Sequence, residues 1–300
     1  MIKKIIYKIQ NKELKKYILW KYSLRSFIVL LKRIRFYFLN PKALFNDGAF
    51  FEAKSKHGKI VINLYDEESR YIGVSSQIIL NRIYEPDEVN LIKNILKKCK
   101  EFNGSDVVFI DCGANLGVFT LEASRFMKEW GKVYAFEPQK QIYNAMVQTL
   151  KLNNCINVEI YNAALGSKNS LIKVPDLDYS KNSNFGSLKL DEDSSSARID
   201  NKKISNLNYS DVSLKKLDSF NFNRVDFIKI DVEGMEDKIL NGATQLIEDY
   251  SPIFLFEHVN SNKTELYNFF INRNYIIKEI GGNALAVNNN SSIAIENLLN

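Results

Sequence analysis

The segment 107–126 constrains the fold of this chain more than any other stretch. It opens with an apolar run, 107–110, that is long enough for a buried strand and too short for a helix. Asp111 ends the run, and Gly113 and Gly117 then lead into an apolar pattern typical of a helix. A strand, a glycine-containing turn and a helix form the first unit of a nucleotide-binding α/β sheet, because glycines let the backbone approach a ligand closely. The segment therefore predicts a mostly parallel sheet with a ligand site at this turn.

A second apolar run, 133–136, ends in Glu137, whose two carboxylate oxygens match the two hydroxyls of a ribose. A dinucleotide fingerprint requires three glycines, so that a pyrophosphate can sit on the helix N-terminus. Here Asn115 stands where the middle glycine is expected, which disfavours a pyrophosphate. An adenosine that carries an amino-acid tail fits better, and S-adenosylmethionine is the candidate. The turn alone is equally compatible with a purely structural role.

The 300-residue chain suits one large domain, or one domain with an appendage. Its three cysteines lie far apart and show no metal-ligand or disulfide spacing, which favours a reducing, cytoplasmic compartment. His57 and His258 are its two histidines, which disfavours a histidine-based zinc site.

Positive charge is concentrated in residues 1–40, which carry a net charge of +10, whereas the other 260 residues carry −4. Apolar residues recur at helical spacing from Leu24 to Phe38, and we expect a basic amphipathic helical arm. Its uncharged run, Ser26 to Leu31, is too short to cross a bilayer, and charges interrupt any signal-peptide core. The arm could pack on its own domain, lie on an anionic membrane surface as a peripheral contact, or hold an acidic partner. Nucleic acid is not an expected partner.

A lead-in region, 41–104, precedes the repeating part of the chain. It contains a predicted strand at 59–65 and a helix opened by Glu85, Pro86, Asp87 and Glu88, since proline and acids suit a first helical turn. The domain itself is predicted over 105–290, where helices alternate with apolar strands at 107–111, 133–136, 158–161, 225–231 and 253–256. A hairpin, 275–277 with 284–287, closes the sheet edge.

A polar insertion at about 176–210 interrupts this alternation. A polar stretch of this length inside a compact domain is either a substrate-covering lid or a plain insertion, and both remain open. The Asn-rich end from Asn288, which includes the last segment 291–300, is expected to be a frayed tail.

Polar residues follow all five strands of the alternating body: Asp111, Glu137, Asn162, Asp231 and His258. In an open α/β sheet, ligands bind at the carboxyl ends of the strands, where the strand order reverses. A purely structural sheet has no need of such residues at every strand end.

Three motifs resemble those of the FkbM-type methyltransferases: D-C-G-A-N-L-G from Asp111, A-F-E-P at 135–138, and K-I-D-V-E-G from Lys229. The resemblance extends from about Tyr84 to Val287 and includes Leu217-Asp218-Ser219, while Cys112 departs from the small aliphatic residue common in the family. It implies an α/β class I methyltransferase (Rossmann-like) fold with a mostly parallel seven-stranded sheet and an antiparallel edge hairpin. It also implies S-adenosylmethionine as the cofactor and methyl transfer to a sugar, glycan or secondary-metabolite hydroxyl. The arm and the insertion lie outside it, and we expect the acceptor to be selected there.

The same resemblance assigns the cofactor pocket residue by residue. The methionine moiety would be bound by Asp111, Gly113, Asn115 and Gly117, the ribose by Glu137, the adenine by Asn162 and Ala163, and the methionine amino group by Glu85.

A hydroxyl acceptor must lose its proton, and the candidate bases are Asp231, Glu233 and His258. His258 suits this role because its reference pKa lies near neutrality, although it could also cap the strand without a proton role. Asp231 and Glu233 could instead hold a divalent cation, but two carboxylates close in sequence need not converge, and no metal is expected. Lys229 is expected to pair with a nearby carboxylate.

Two other classes of protein fit part of this pattern. A nicotinamide-dependent oxidoreductase would share the first unit and Glu137, but the missing glycine disfavours it. An inactive methyltransferase-like scaffold, attached to a membrane or partner through the arm, would be free to lose the glycine turn and Glu137, and both are intact.

Overall fold

The computed structural model describes residues 36, 38–39, 49–66, 73–192, 197–199, 202–203 and 208–299. The predicted basic arm, 1–40, therefore lies outside the described residues apart from Phe36, Phe38 and Leu39. Phe36 is buried, and its ring meets that of Phe51 edge-on at a centroid distance of 6.3 Å. Within the described ranges, no helix is both long and apolar enough to cross a membrane.

The described residues form strands and helices from the lead-in region onward, and helices alternate with the strands β3, β4 and β5. The strands are β1 Phe50–Ser55, β2 Gly58–Asn63, β3 Val107–Cys112, β4 Gly131–Phe136, β5 Val158–Tyr161, β6 Ala163–Leu165, β7 Ser170–Pro175, β8 Leu188–Lys189, β9 Arg198–Ile199, β10 Lys202–Lys203, β11 Tyr209–Lys215, β12 Phe227–Ile230, β13 Ile253–Glu257, β14 Tyr275–Ile280 and β15 Asn283–Asn288. The helices are α1 Val74–Asn81, α2 Pro86–Asn103, α3 Val118–Phe126, α4 Lys140–Leu152, α5 Glu236–Asn241, α6 Thr244–Tyr250 and α7 Lys263–Ile271.

Seven strands form the main sheet in the order β14-β15-β13-β12-β3-β4-β5. Strands β5, β4, β3, β12 and β13 pair in parallel, and β15 pairs antiparallel with both β13 and β14. The chain builds outward from β3 to β5 on one side and then resumes at β12 on the other. The strand order therefore reverses between β3 and β12, which is where ligands bind in open sheets. The predicted parallel sheet with an antiparallel edge hairpin is confirmed.

The central strands are mostly apolar, as expected for a sheet covered by helices on both faces, and their buried charged residues are Asp111 in β3 and Lys229 in β12. Phe109 of β3 and Phe227 of β12 are fully buried and stack at 4.9 Å between ring centroids. Helix α2 packs one apolar face, which includes Ile92, Ile95 and Leu96, into the same core. Burial of this apolar surface is the main stabilising contribution.

A buried polar contact joins the β1–β2 hairpin to the main domain. His57, in the hairpin turn, shares a hydrogen bond of 2.8 Å between its Nδ1 and Glu122 Oε1 of α3. Lys93 of α2 donates to the other oxygen of Glu122 at 2.5 Å. Tyr84 N donates to His57 Nε2 at 2.9 Å, so His57 also fixes Tyr84, two residues before α2 begins.

The described part of the predicted insertion is structured. Strand β11 pairs in parallel with β6 and antiparallel with β7, which makes a small three-stranded sheet beside the main one. A 3-10 turn, Phe185–Ser187, leads into β8, which pairs with β9.

The expectation of a frayed tail is wrong for 293–298. A 3-10 turn forms at Ile295–Leu298, and Ile293, Ile295 and Leu298 are buried in the core beside α2. Asn94 of α2 also donates to the carbonyl of Leu298 at 2.8 Å. Three apolar side chains at short spacing anchor this segment despite the asparagines before it.

Candidate active site

A cleft opens at the carboxyl ends of β3, β4 and β12, where the strand order reverses. It is lined by the turn after β3, the residues after β4, strand β6, part of the insertion, the residues after β12 and parts of the lead-in region. The lining residues are Gly73, Val74, Gln77, Tyr84, Gly113, Ala114, Asn115, Leu116, Val118, Phe119, Phe136, Glu137, Pro138, Gln139, Ala163, Ala164, Leu165, Asn184, Gly186, Leu188, Leu190, Lys229, Asp231, Val232, Glu233 and Met235.

The turn after β3 has glycine where the backbone requires it. Gly113 has φ 84°, and a Cβ there would lie 1.9 Å from the backbone oxygen of Asp231. Gly117 has φ 81° and is the N-cap of α3, and a Cβ there would lie 2.7 Å from Met146 Cγ. Asn115 also has a positive φ, 50°, which asparagine tolerates better than most residues. Gly113 and Asn115 line the cleft, whereas Gly117 shapes the turn without lining it.

Asp111 lies beneath this turn, fully buried, and is not among the lining residues. Its Oδ2 accepts a 2.6 Å hydrogen bond from the hydroxyl of Thr120 in α3. Its Oδ1 is buried and has no hydrogen-bond partner in the part of the chain that the structure describes. Burial raises the pKa of Asp111, while Lys229 and the Thr120 bond lower it. Asp111 therefore fixes the start of α3 and keeps one acceptor oxygen unsatisfied.

Glu137 faces the cleft and is 4% exposed. Its Oε2 accepts from Asn115 N at 3.0 Å, and its Oε1 accepts from Gln139 N at 2.9 Å. Each oxygen keeps a further lone pair for a ligand donor. Burial raises the pKa of this carboxyl to about 7, although both backbone bonds lower it. Without a ligand, ionisation of Glu137 therefore costs free energy because the carboxylate is buried. Its geometry allows it to accept two more hydrogen bonds.

Two residues assigned to adenine are placed differently. Ala163 is buried and lines the cleft. The Asn162 side chain instead braces the loop after β4, because its Nδ2 donates to the carbonyls of Glu137 and Pro138 at 2.9 and 3.0 Å. Both donor hydrogens of that amide are thus used within the chain, and Asn162 is not among the residues that line the cleft.

Glu85 does not line the cleft. It has φ 36° at the start of α2, and its Oε1 accepts from Gln77 Nε2 at 3.2 Å. Glu85 lines a second cavity with Asp87 and Glu88, whereas Gln77 lines the cleft itself. The structure therefore does not support the expected direct contact of Glu85 with a methionine amino group. Gln77 instead links Glu85 to the cleft.

Carboxylates converge at the other end of the cleft. Asp231 and Glu233 follow β12, and Glu257 ends β13, and one oxygen of each lies within 4.8 Å of the others. Lys229 Nζ donates to Asp231 Oδ2 at 2.8 Å, so the predicted pairing of Lys229 with a carboxylate is confirmed. Asn260 Nδ2 donates to Glu233 Oε2 at 2.8 Å and to Glu257 Oε2 at 3.1 Å. Asp231 and Glu233 therefore do converge, which their proximity in sequence left open.

This acidic cluster has positive counter-groups within the chain. Besides Lys229, the ammonium of Lys189 in the insertion donates to Asn260 Oδ1 at 2.8 Å. Burial, with Glu257 as the next cause, raises the pKa of Glu233 to about 8. Burial, with Asp231 next, raises the pKa of Glu257 to about 7. Carboxylates with such pKa values can gain and lose a proton near neutral pH.

His258 lies next to this cluster in sequence but does not line the cleft. Its backbone N donates to Gly282 O at 3.3 Å, and its ring faces Tyr267 edge-on at 6.0 Å. Its Nε2 is buried and has no hydrogen-bond partner among the described residues. Its position at the strand end was predicted, but the position does not support the role of a base.

Four cleft or cluster residues were missed from the sequence: Gln77, Gln139, Glu257 and Asn260. Gln139 is buried, donates to Phe185 O at 3.0 Å and accepts from the Tyr179 hydroxyl at 3.0 Å, so it ties the insertion to the loop after β4. Its position two residues after Glu137 was the available signal. Asn260 gave no such signal, because its role depends on how the loop after β13 folds back.

The insertion forms one wall of the cleft through Asn184, Gly186, Leu188 and Leu190. A Cβ on Gly186 would lie 3.0 Å from Asn115 Nδ2, so the insertion packs directly on the glycine turn. Its described part therefore contributes directly to the cleft, and the choice between a substrate-covering lid and a plain insertion stays open.

The sheet order, the glycine turn and the cleft at the reversal point define a class I methyltransferase fold. The family model of the methyltransferase FkbM domain matches residues 111–280, and the chain belongs to that family. The motif resemblance is thus confirmed, and the match extends from the end of β3 to the end of β14.

Individual relatives share at most a quarter of their aligned residues with this chain in the following three comparisons. "Methyltransferase 1" of Beauveria bassiana (strain ARSEF 2860) is 25% identical over 150 residues, which are 46% of this chain and 58% of that protein. A crystal structure of methyltransferase FkbM from Methylobacillus flagellatus KT has a TM-score of 0.43 and 15% identity, covering 61% of this chain and 43% of that chain. A SAM-dependent O-methyltransferase from Thermotoga maritima has a TM-score of 0.38 and 14% identity, covering 84% of this chain and 77% of that chain. The first two relatives are thus spanned over about half of their own length.

Proposed function

We propose that this chain is an S-adenosylmethionine-dependent methyltransferase that acts on a hydroxyl oxygen of a sugar, glycan or secondary metabolite. The observation that carries the proposal is Glu137, a buried carboxylate that faces a cleft at the reversal point and keeps a lone pair on each oxygen. Membership of the FkbM methyltransferase family supports the reaction class. The oxygen acceptor rests on the family resemblance alone.

The residues present fit this cofactor. Glu137 would accept hydrogen bonds from the ribose hydroxyls, and Ala163 would contact the adenine. The backbone at Gly113, which lines the cleft, is suited to the polar methionine end, and beneath it Asp111 Oδ1 has no hydrogen-bond partner among the described residues. A cleft for a dinucleotide would instead need a pyrophosphate site at the start of α3, where Asn115 replaces the middle glycine.

When bound, S-adenosylmethionine supplies an electrophilic methyl carbon and retains the carbon–sulfur electron pair as sulfide. The chain contributes alignment, since the turn after β3 and the insertion wall would hold the acceptor oxygen in line with that carbon. A carboxylate at the end of β12 would receive the hydroxyl proton, which contributes about 10²–10⁴-fold to the rate of such reactions. Asp231 and Glu233 both line the cleft, but Asp231 is paired with Lys229, so Glu233 is the better placed base.

Isothermal titration calorimetry of the full chain with S-adenosylmethionine and S-adenosylhomocysteine tests the cofactor. We expect saturable binding of both ligands with one site per chain. The absence of binding to protein that is folded by circular dichroism would contradict the proposal.

A screen with a methyl-labelled donor tests the acceptor class. Sugars, glycans, secondary metabolites and lipids are incubated with the full chain, and the labelled product is identified by mass spectrometry. An O-methyl ether is the expected product. Transfer only to nitrogen or carbon would overturn the oxygen assignment and leave the methyltransferase assignment intact.

A further inference from the structure

Glu257, at the end of β13, lies behind the two carboxylates that line the cleft. One oxygen each of Asp231, Glu233 and Glu257 lies within 4.8 Å of the others. The Nδ2 of Asn260 donates to Glu233 and to Glu257, at 2.8 and 3.1 Å. A single amide therefore holds these two glutamates side by side.

The cations around the cluster are unevenly distributed. Asp231 has an ammonium of its own, Lys229 Nζ, at 2.8 Å. Among the described residues, neither Glu233 nor Glu257 forms a salt bridge, and Lys189 reaches them through Asn260 Oδ1 rather than directly. Two carboxylates held this close, without a cation each, cannot both ionise easily, so the ionisation of one disfavours that of the other.

We propose that Glu257 is a positioning residue that shares one proton with Glu233, and that Glu233 is thereby the base for the acceptor hydroxyl. This inference rests on the proposed function. The hydroxyl proton passes to the Glu233 carboxylate, and the O–H electron pair stays on the acceptor oxygen as its new bond to carbon forms. The proton leaves to solvent after the product does, which restores the pair.

The electrostatics of the pair agree with its geometry. Burial is the largest cause of the raised pKa of both glutamates, and nearby acids add to it. Among the charged groups near Glu233, Glu257, Asp231 and Glu236 raise its pKa and Lys189 lowers it, and Asn260 donates a hydrogen bond to it. Near Glu257, Asp231 and Glu236 raise its pKa, and the hydrogen bond from Asn260 and the charge of Lys229 lower it. Replacing Glu257 by a neutral side chain therefore lowers the pKa of Glu233.

The pair is tested by a ¹³C NMR pH titration of the full chain labelled at glutamate carboxyl carbons. The Glu233 signal is assigned by its loss in Glu233→Gln. We expect the wild-type Glu233 transition near or above neutral pH, and a shift to lower pH by about one unit or more in Glu257→Gln. In Glu257→Asp, which keeps the charge, the transition should stay closer to that of the wild type.

Glu101→Gln is the matched control, because Glu101 is an exposed glutamate of α2 that pairs with Lys98. It should leave the Glu233 transition unchanged. A wild-type Glu233 transition at the ordinary value of a glutamate, or one that Glu257→Gln does not move, would overturn the inference. A purely structural role of Glu257 predicts the latter result in a folded variant.

Binding of S-adenosylhomocysteine to the wild type and to Glu101→Gln, measured by calorimetry, separates this inference from the proposed function. If neither protein binds S-adenosylhomocysteine while Glu233 titrates near or above neutral pH, the proposed function is contradicted, and the role of the pair as a base with it. Normal binding with an ordinary Glu233 transition would overturn the pair alone.

Discussion

At the scale of single residues, Glu137 carries the cofactor hypothesis. Its two oxygens each accept one backbone N–H, from Asn115 and Gln139, and this fixes the carboxylate plane toward the cleft. A glutamine at this position would place an amide hydrogen against one of those N–H groups. The substitution therefore disturbs the acceptor geometry with little change in volume.

Glu137→Gln should weaken the binding of S-adenosylhomocysteine by about 1.5–3 kcal/mol, the typical worth of hydrogen bonds to a charged group, or roughly 10- to 150-fold. Calorimetry measures the change. Glu159→Gln is the control, because Glu159 is exposed and pairs with Lys132 away from the cleft. Equal affinity of Glu137→Gln and the wild type would show that this carboxylate does not hold the ligand.

The same carboxyl should make the affinity depend on pH. Its pKa in the free protein is about 7, and ribose hydroxyls donate best to the ionised form. We therefore expect the affinity for S-adenosylhomocysteine to rise from pH 6 to pH 8, with proton release on binding at the lower pH. Calorimetry in buffers of different ionisation enthalpy measures both quantities, and a flat profile in the wild type would contradict this role.

The sequence predicted the glycine turn and Glu137 because these depend on strand ends and backbone conformation. It did not determine the side-chain directions of Asn162, Glu85 and His258, because a position at the end of a strand or the start of a helix does not fix where the side chain points. The Asn162 amide turns back to two carbonyls, and His258 packs beside Tyr267.

At the scale of elements, the β1–β2 hairpin is joined to the domain by a hydrogen bond between His57 and Glu122. His57→Leu would leave one oxygen of a largely buried carboxylate without this partner. We expect the free energy of unfolding to fall by roughly 1–3 kcal/mol. Urea denaturation measures this change.

Lys132→Met is the comparison for this prediction, since it removes a half-exposed ion pair with Glu159. Exposed pairs are typically worth less than about 1 kcal/mol. If His57→Leu destabilises the protein no more than Lys132→Met does, the hairpin contact is not a stabilising one.

The sequence predicted the seven main strands because each is an apolar run bounded by polar or turn residues. It did not predict the small β8–β9 pairing or the packing of 293–298, since two-residue strands and single turns carry no periodic pattern. The convergence of Asp231, Glu233 and Glu257 was missed for a related reason. It depends on the neighbouring positions of β12 and β13 in the sheet.

At the scale of the whole molecule, one buried and two half-buried carboxyls make stability depend on pH. Glu137, Glu233 and Glu257 have pKa values raised to about 7, 8 and 7 in the folded chain. The folded state thus binds these protons more tightly than the unfolded state does. Their stabilising contribution is present below the ordinary glutamate pKa and is lost as the pH rises through 7 to 8.

The free energy of unfolding should therefore fall more steeply from pH 5 to pH 8 in the wild type than in Glu233→Gln, which lacks one of these groups. Urea denaturation at each pH measures both curves, and the difference between them isolates the contribution of Glu233. Parallel curves would mean that Glu233 ionises equally in the folded and unfolded chains.

A crystal structure of the full chain with S-adenosylhomocysteine is the decisive test of the cofactor site at Glu137. We expect the nucleoside to lie across the carboxyl ends of β3, β4 and β5, with the ribose hydroxyls within hydrogen-bond distance of the Glu137 carboxylate. A ligand bound elsewhere, or a cleft that side chains of the protein fill in its presence, would contradict it.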